Sequence, residues 1–428
     1  MNMFNFTKLQ QAAYDAIMSG QNVCITGSGG VGKSYIIQQI REQIENETLF
    51  VAPTGIAAVN IDGATIHKTF GLSTSVQFSA PVINDKIRDV LANKNLKRLV
   101  IDEISMVRAD IFSVIDKILK SVRKSKAPFG GLQVVVIGDF YQLPPILTSK
   151  EKVPFSTKYD SIFCFSTPAW KNANFTVVDL KESMRQSDKE FVDMLNSIRV
   201  GSENAHKALE NINHVGLSQT NVDESWIILA ATNAVANDYN SEMYGALDGG
   251  EEIVYYAQRE NSNVKISPVD DVIRLKKGAH VIIKANDVDG LYVNGDRGVV
   301  DEVTKDGVFV TLTNGRKVFV DQYSWEEKEY VSDSDGFRLT TIGTFKQIPI
   351  KYGWAITIHS SQGLTLDGAI LNTGRGCFTD GQLYVALSRI KDLNKFCLVQ
   401  PIRNAELMVS KEVQKFYAQN EISILNMF

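Results

Sequence analysis

Between Gly27 and Ser34 the chain reads Gly-Ser-Gly-Gly-Val-Gly-Lys-Ser, a glycine-rich turn closed by a lysine and a hydroxyl. Glycines let backbone N–H groups close around phosphate oxygens, and a following helix aims its N-terminal dipole at the same charge. In this spacing Gly27, Ser28, Gly29, Gly30, Val31 and Gly32 form the cradle, Lys33 reaches the β- and γ-phosphates, and Ser34 faces Mg2+. A second candidate is the acid pair Asp102-Glu103, which ends the apolar run Leu99-Val100-Ile101. Beside a phosphate cradle, the first acid suits Mg2+ and the second suits polarising an attacking water. A third is Gly138-Asp139-Phe140-Tyr141-Gln142-Leu143-Pro144-Pro145, again after an apolar run. Gln142 is placed to touch a γ-phosphate and report its loss. Taken singly, acids at a strand end or a proline-stiffened turn are ordinary surface features. Their company with the cradle is what points to phosphate chemistry.

These residues need a scaffold that delivers them together. Asn22–Thr26, Leu49–Ala52, Leu99–Ile101 and Val134–Ile137 are short apolar runs, each ending in a turn or a polar cluster, with amphipathic segments between them. That rhythm predicts buried parallel strands in an α/β sheet. It resumes at Trp226–Leu229, Ala369–Leu371 and Phe396–Val399, so two α/β halves are expected. Between them, from about 281 to 331, β-branched runs are cut by Asn294-Gly295, Asp306-Gly307 and Asn314-Gly315. Such dipeptides mark tight hairpins, and the stretch reads as a small antiparallel barrel inserted into the second half. An irregular stretch at about 73–97 reads as a smaller insertion in the first.

The chain has 428 residues, 44% hydrophobic and 22% charged, with a net charge of −4. At roughly 150 residues per domain this length suggests about three domains. The composition excludes a disordered tail, a collagen-like fibre and a coiled-coil rod. No apolar run approaches the ~20 residues of a membrane span, and the N-terminus shows neither a signal peptide nor an Arg-rich transit pattern. Cys24, Cys164, Cys377 and Cys397 are scattered. A reducing compartment without a zinc site is therefore expected. An acidic chain excludes histone-like DNA binding while allowing a local basic groove. The one dense basic run is Lys117, Lys120, Arg123, Lys124 and Lys126.

Asp102-Glu103-Ile104-Ser105-Met106 and the Gly138–Pro145 segment together resemble superfamily-one DNA helicases of the Pif type, related to the Dda and RecD helicases. Later segments fit the same pattern in the family's order: Leu180–Gln186, Val293–Gly298, Ile358–Asp367 and Tyr384–Arg389. The resemblance implies two RecA-like P-loop domains with parallel sheets. The first would span 1–185 with its insertion at about 73–97, and the second 186–285 with 346–428. A small SH3-like β-barrel would occupy 286–345. It implies ATP and Mg2+ as cofactors, with Ser34 and Asp102 at the metal. Gln10 would read adenine and Gly363 would lie at the nucleotide. Arg185 and Arg389 would act as arginine fingers; the physical case is a planar guanidinium meeting phosphoryl charge when a cleft shuts.

The same resemblance places single-strand contacts at Pro53, Thr54, Gly55, His67 and Phe70. In the second half it places them at Thr232, Asn233, His359, Ser360 and Gln362. Hydroxyls and amides suit phosphates, while His67 and Phe70 suit stacking on bases. The sequence departs from the common family pattern at Gly30 and around Ser360-Ser361, without removing a group that hydrolysis needs. The expected partners are single-stranded DNA and forked or tailed duplexes, with single-strand-binding, replication or repair proteins as further candidates. A monomer in a bacterial or phage-infected cytoplasm is expected, with no membrane. The expected activity is 5′→3′ translocation with duplex unwinding, and Val76 or Phe78 are candidate strand-separating wedges. Two other readings stay open at this point: a nucleotide-switched binding protein without strand separation, and an ATPase acting on protein or small molecules.

Overall fold

The computed structural model describes residues 6–181, 188–248, 250–262, 264–334 and 336–425. The chain divides into two units, one of Met1–Met184, Lys328–Ile342 and Ser410–Phe428, the other of Arg185–Glu327 and Gly343–Val409.

The first unit is built on six parallel strands: β1 (Val23–Gly27), β2 (Thr48–Ala52), β3 (Ala64–Thr65), β4 (Arg98–Ile101), β5 (Gln133–Ile137) and β6 (Thr176–Leu180). Their order is β3-β2-β4-β5-β1-β6, which puts the strand ahead of the glycine-rich loop inside the sheet. Every residue of β1 and β2 is buried. Strands covered on both faces read as continuous apolar runs, which is why they were legible without alternation. Ile25, Phe50, Val100, Val135 and Val178 meet Ile36 and Ile40 of the following helix in one core. The helix Lys8–Met18 starts at a capping box: the Thr7 hydroxyl accepts from the Gln10 N–H, and Gln10 Oε1 accepts from the Thr7 N–H at 3.0 Å. Reciprocal bonds of this kind satisfy two orphan donors of the first turn.

The insertion between β3 and β4 holds a helix, Asp85–Ala92, capped by Asn84. Its preceding loop is fixed from beneath. Gln77 N–H donates to Asp110 Oδ2 at 2.7 Å, and Arg108 Nη2 donates to the Ser75 carbonyl at 3.2 Å. Arg108 grips both Asp110 oxygens at 2.9 Å and Glu151 at 3.0 Å. Burial opposes the Arg108 charge, but the bonds and charge of Asp110 and then Glu151 raise its pKa above the usual value.

The second unit carries a four-stranded parallel sheet in the order Ala355–Thr357, Ile227–Ala230, Ala369–Asn372, Phe396–Leu398. Antiparallel strands run from Glu252 to Tyr352 in three sheets, of which the five-stranded one lies between His280 and Tyr352. Tight-turn dipeptides mark only the closest hairpins, while Glu252–Tyr256 pairs with Val272–Lys276 across a longer connection. At Asn314-Gly315 the expected turn is present, with Gly315 at φ +82°. Val281, Ile283, Val300, Val310, Trp325 and Phe345 form the core of this part.

Two segments fall outside the expected partition. The tip of the hairpin Tyr323–Gln347 belongs to the first unit. There the Tyr330 hydroxyl accepts from the Phe50 N–H at 2.8 Å and donates to the Phe50 carbonyl at 3.3 Å. It closes the stretch of β2 that lies beyond the two residues paired to β3. The last helix, Lys411–Leu425, was expected in the second half and instead joins the first unit. Its Val413 and Phe416 are buried, and Phe416 enters a cluster with Phe140, Phe165 and Trp170. Among the described residues, no helix is long and apolar enough to cross a membrane.

Candidate active site and nucleic-acid interface

β1, β4 and β5 are neighbours in the sheet, and each ends in one of the chemistry-bearing loops. After β1, Gly27 takes φ +140°, Gly30 +84° and Gly32 +82°, backbone that side chains rarely tolerate. A Cβ on Gly32 would also meet Gln10 Nε2 at 2.3 Å. Gln10 is 1% exposed, and its amide donates to the Val31 carbonyl at 3.1 Å, so it sits against the cradle. Lys33 Nζ donates to the Gly27 and Ser28 carbonyls at 2.8 Å each. Ser34 is exposed at the first turn of the helix Lys33–Ile44.

After β4 the chain turns sharply. Glu103 adopts φ +49°, a left-handed conformation uncommon for a residue with a Cβ and a recurrent mark of functional strain. Burial, and then the charge of Glu103, push the Asp102 carboxyl up to about 7, against the pull of the Glu103 backbone N–H and Lys33. A buried carboxylate raised in this way gains from a nearby cation. Asp102 and Ser34 offer hard oxygens, the donor type that Mg2+ takes. Among the described residues no group of three or more His, Cys, Asp and Glu could hold a metal. After β5, Gln142 is 8% exposed; its N–H donates to the Asp139 carbonyl at 2.9 Å and its amide reaches Asp139 Oδ2 at 3.4 Å.

The candidate DNA contacts of the first unit come from the sheet's other edge. Thr54 ends β2's loop and caps the helix Gly55–Asn60, accepting from Ala57 N–H at 3.2 Å; Pro53, Thr54 and Gly55 are all half-buried. His67 lies after the neighbouring strand β3, half-buried, and burial and then Arg108 lower its pKa. Phe70 corrects the expectation: it is fully buried, so its ring packs the core and offers no face to a base. The basic run also divides. Arg123 donates to the Gly130 and Leu91 carbonyls at 3.1 Å, and Lys120 pairs with Asp116 at 2.7 Å, both structural uses. Lys117 is exposed, with burial and then Lys158 lowering its pKa. Lys158 itself lies over the Phe78 ring at 5.9 Å. Phe78 is 41% exposed and Val76 is half-buried.

In the second unit, Thr232-Asn233 and His359-Ser360 follow two paired parallel strands and so stand at one sheet end. Thr232 caps the helix Asn233–Ala246; Thr232, Asn233 and Ser360 are exposed, and burial lowers the His359 pKa. The Gln362 N–H donates to the His359 carbonyl at 3.2 Å, and Gly363 is exposed at φ +84°. Sequence reading missed Phe378, 60% exposed and stacked beside His359 with ring planes 16° apart. Its only signal was an aromatic in a polar turn. Arg389 is 1% exposed; it donates to Val385 O at 3.0 Å, Leu364 O at 3.3 Å and Ser388 Oγ at 2.8 Å. Its guanidinium therefore braces the Ile358–Leu366 loop. Arg185 lies outside the described residues.

Comparison with known proteins follows the same lines. The family model described as PIF1-like helicase matches residues 5–208. An ATP-dependent DNA helicase Pif1 of Bdellovibrio bacteriovorus is 30% identical over 422 residues, covering 96% of this chain and 91% of that one. An ATP-dependent DNA helicase PIF1 of Danio rerio is 34% identical, and there the match covers 90% of this chain but 60% of the fish protein. Among solved structures, Bacteroides Pif1 in complex with ADP-AlF4 superposes with a TM-score of 0.88 at 30% identity, covering 98% of both chains. Bacteroides Pif1 bound to single-stranded DNA gives a TM-score of 0.71 at 31% identity, again over 98% of both. With its α/β architecture and its site loops in place, this chain belongs to the PIF1-like helicase family.

Proposed function

We propose that the chain is an ATP-dependent DNA helicase that moves 5′→3′ on a single strand and unwinds duplex ahead of it. The observation that carries this reading is the delivery of Lys33, Asp102-Glu103 and Gln142 to one end of one sheet by three adjacent strands. The same sheet presents Thr54 and His67 after β2 and the edge strand β3 beside it. A motor needs both functions on one rigid element, so that a change at the phosphates moves the grip on the strand.

In this mechanism Gln10 reads the base, and Gly27 to Gly32 surround the phosphates with N–H groups. Lys33 leaves its loop carbonyls for the β- and γ-phosphates. Ser34 and Asp102 would hold Mg2+, which supplies charge neutralisation across the phosphates. Glu103 takes the proton of the attacking water, and Gln142 senses the γ-phosphate. Arg185 contributes guanidinium charge to the transferring phosphoryl group, whereas Arg389, buried on Val385, Leu364 and Ser388, serves as the brace of the Ile358–Leu366 loop. Thr54, His67, Thr232, Asn233, His359 and Ser360 hold the strand, and Phe378 beside His359 is an additional stacking surface. Phe78 on the insertion is the strand-separating wedge.

The decisive experiment compares partial duplexes carrying a 5′ or a 3′ single-stranded tail, with ATP hydrolysis followed with and without single-stranded DNA. Unwinding of the 5′-tailed substrate and DNA-stimulated hydrolysis are expected. Unwinding of only the 3′-tailed substrate overturns the polarity. Hydrolysis unmoved by DNA favours a nucleotide-switched binding protein instead.

A further inference from the structure

The C-terminal helix does more than cover the first unit, because of where its two aromatic residues land. Tyr417 bonds the Thr26 hydroxyl through its own, and its ring stacks on Tyr141 with centroids 4.6 Å apart and planes at 11°. Thr26 is the residue of β1 immediately before Gly27, where the phosphate cradle begins. Tyr141 is the residue immediately before Gln142. Phe416 packs against Phe140 at 5.2 Å between centroids, so two successive helix residues hold two successive residues of the Gln142 loop.

We propose that Tyr417 is a positioning residue for ATP hydrolysis: it clamps the Gln142 loop to the cradle strand and so sets where Gln142 meets the γ-phosphate. This rests on the hydrolytic role proposed above. The geometry favours a positioning role over simple packing for two reasons. A residue that only filled space would not need its hydroxyl on Thr26. Its ring would also gain as much from the Phe140–Trp170 cluster as from Tyr141, which is itself buried. The Gln142 loop is a tight turn, with Tyr141 N–H on Asp139 Oδ1 at 3.1 Å and Gln142 N–H on the Asp139 carbonyl at 2.9 Å. Those bonds fix the turn's shape but are internal to it. The root of the loop is tied to β1 by the Gly138 N–H on the Ile25 carbonyl at 3.1 Å, and beyond that root the Tyr417 clamp links Tyr141 to Thr26. Small misplacements of a catalytic group remote from the altered residue cost rate rather than binding.

The test uses the full chain, with Tyr417→Leu, Tyr417→Phe, Thr26→Val and the Tyr417→Phe/Thr26→Val pair, each checked for folding by thermal melting. Wild-type ATP hydrolysis with single-stranded DNA is measured first; if there is none, the proposed function itself fails and this inference falls with it. With an active wild type, Tyr417→Leu is expected to lower kcat roughly ten- to hundredfold while KM for ATP stays within about twofold. Tyr417→Phe and Thr26→Val each lose a smaller factor, and the pair loses no more than either alone, because both remove one shared bond. If Tyr417→Leu does not fold, this pair carries the test. A Tyr417→Leu kcat within about twofold of wild type overturns the proposal, as do losses that multiply in the pair.

Discussion

Asp110 offers the sharpest test of how the insertion of the first unit is held. Its side chain is fully buried and accepts from Arg108 Nε, Arg108 Nη2 and the Gln77 N–H, at 2.9, 2.9 and 2.7 Å. Asp110→Asn keeps the shape but removes the charge opposite a guanidinium whose side chain is 10% exposed. Breaking a buried pair by neutralising one partner costs about 3–5 kcal/mol, since the other charge stays desolvated. Glu151, at 3.0 Å and 19% exposed, recovers part of that and places the expectation at the lower end. For a unit of this size, about 3 kcal/mol lowers the melting temperature by roughly 6–12 °C. Replacing both partners, Arg108→Met with Asp110→Leu, removes the buried unpaired charge and leaves the Gln77 N–H and the Ser75 carbonyl without these partners, at about 1–3 kcal/mol in all, while the partly exposed Glu151 keeps its bonds from Thr148. The double variant should therefore melt no lower than the single one. Calorimetry reports the melting, and hydrogen exchange at Gln77 reports whether the loop comes loose. A single substitution costing under about 1 kcal/mol, or a double variant clearly worse than the single, refutes the account.

At the catalytic centre, Lys33→Ala should abolish hydrolysis, and Glu103→Gln should keep ATP binding while stopping turnover; near-normal turnover of the latter by phosphate release removes Glu103 from its role. Chelating divalent cations should stop hydrolysis by wild type and leave folding intact by circular dichroism, whereas undiminished hydrolysis excludes Ser34 and Asp102 as a metal site. Log affinity for a single strand should fall with log salt at about −0.7 per phosphate neutralised, and a flat titration would make stacking at His359 and Phe378 the main contribution. Burial lowers the pKa of His67 and His359, so the unfolded chain binds their protons at higher pH than the folded one. Stability then falls as pH drops through and below the ordinary histidine value near 6.5, and His67→Gln should flatten that slope in melting experiments.

What could be read from the sequence was chemistry set by short spacing. The cradle, the acid pair and the Gln142 turn each lie within eight residues of a buried strand, and each strand ends within one residue of its apolar run. Features set by distant partners could not be read this way. Phe70 looks like a stacking ring in a polar stretch, yet it is fully buried. Arg108 and Asp110 look like an ordinary surface pair until the fold brings Gln77 and Glu151 to them from 33 and 43 residues away. The left-handed backbone at Glu103 is invisible for a different reason: nothing in the residue type demands it. Tight turns mark about 281–331 of the antiparallel region, while Glu252–Tyr256 and Val272–Lys276 pair across a longer link that carries no such mark.

The C-terminal helix shows why an apolar pattern fixes a face but not a destination. Val413 and Phe416 are three apart and form one buried stripe, as helical periodicity requires. That stripe would suit either sheet, and chain order favours the nearer one. The choice is made by complementarity that appears only in three dimensions. Phe140, Phe165 and Trp170 leave an aromatic hollow on the first unit into which Phe416 fits. One residue further on, a helix has turned by about 100°. Tyr417 therefore leaves the stripe and meets Tyr141 and Thr26 instead. A pattern search ranks such a half-exposed tyrosine low because it breaks the stripe, and that break puts its hydroxyl one residue from the phosphate cradle.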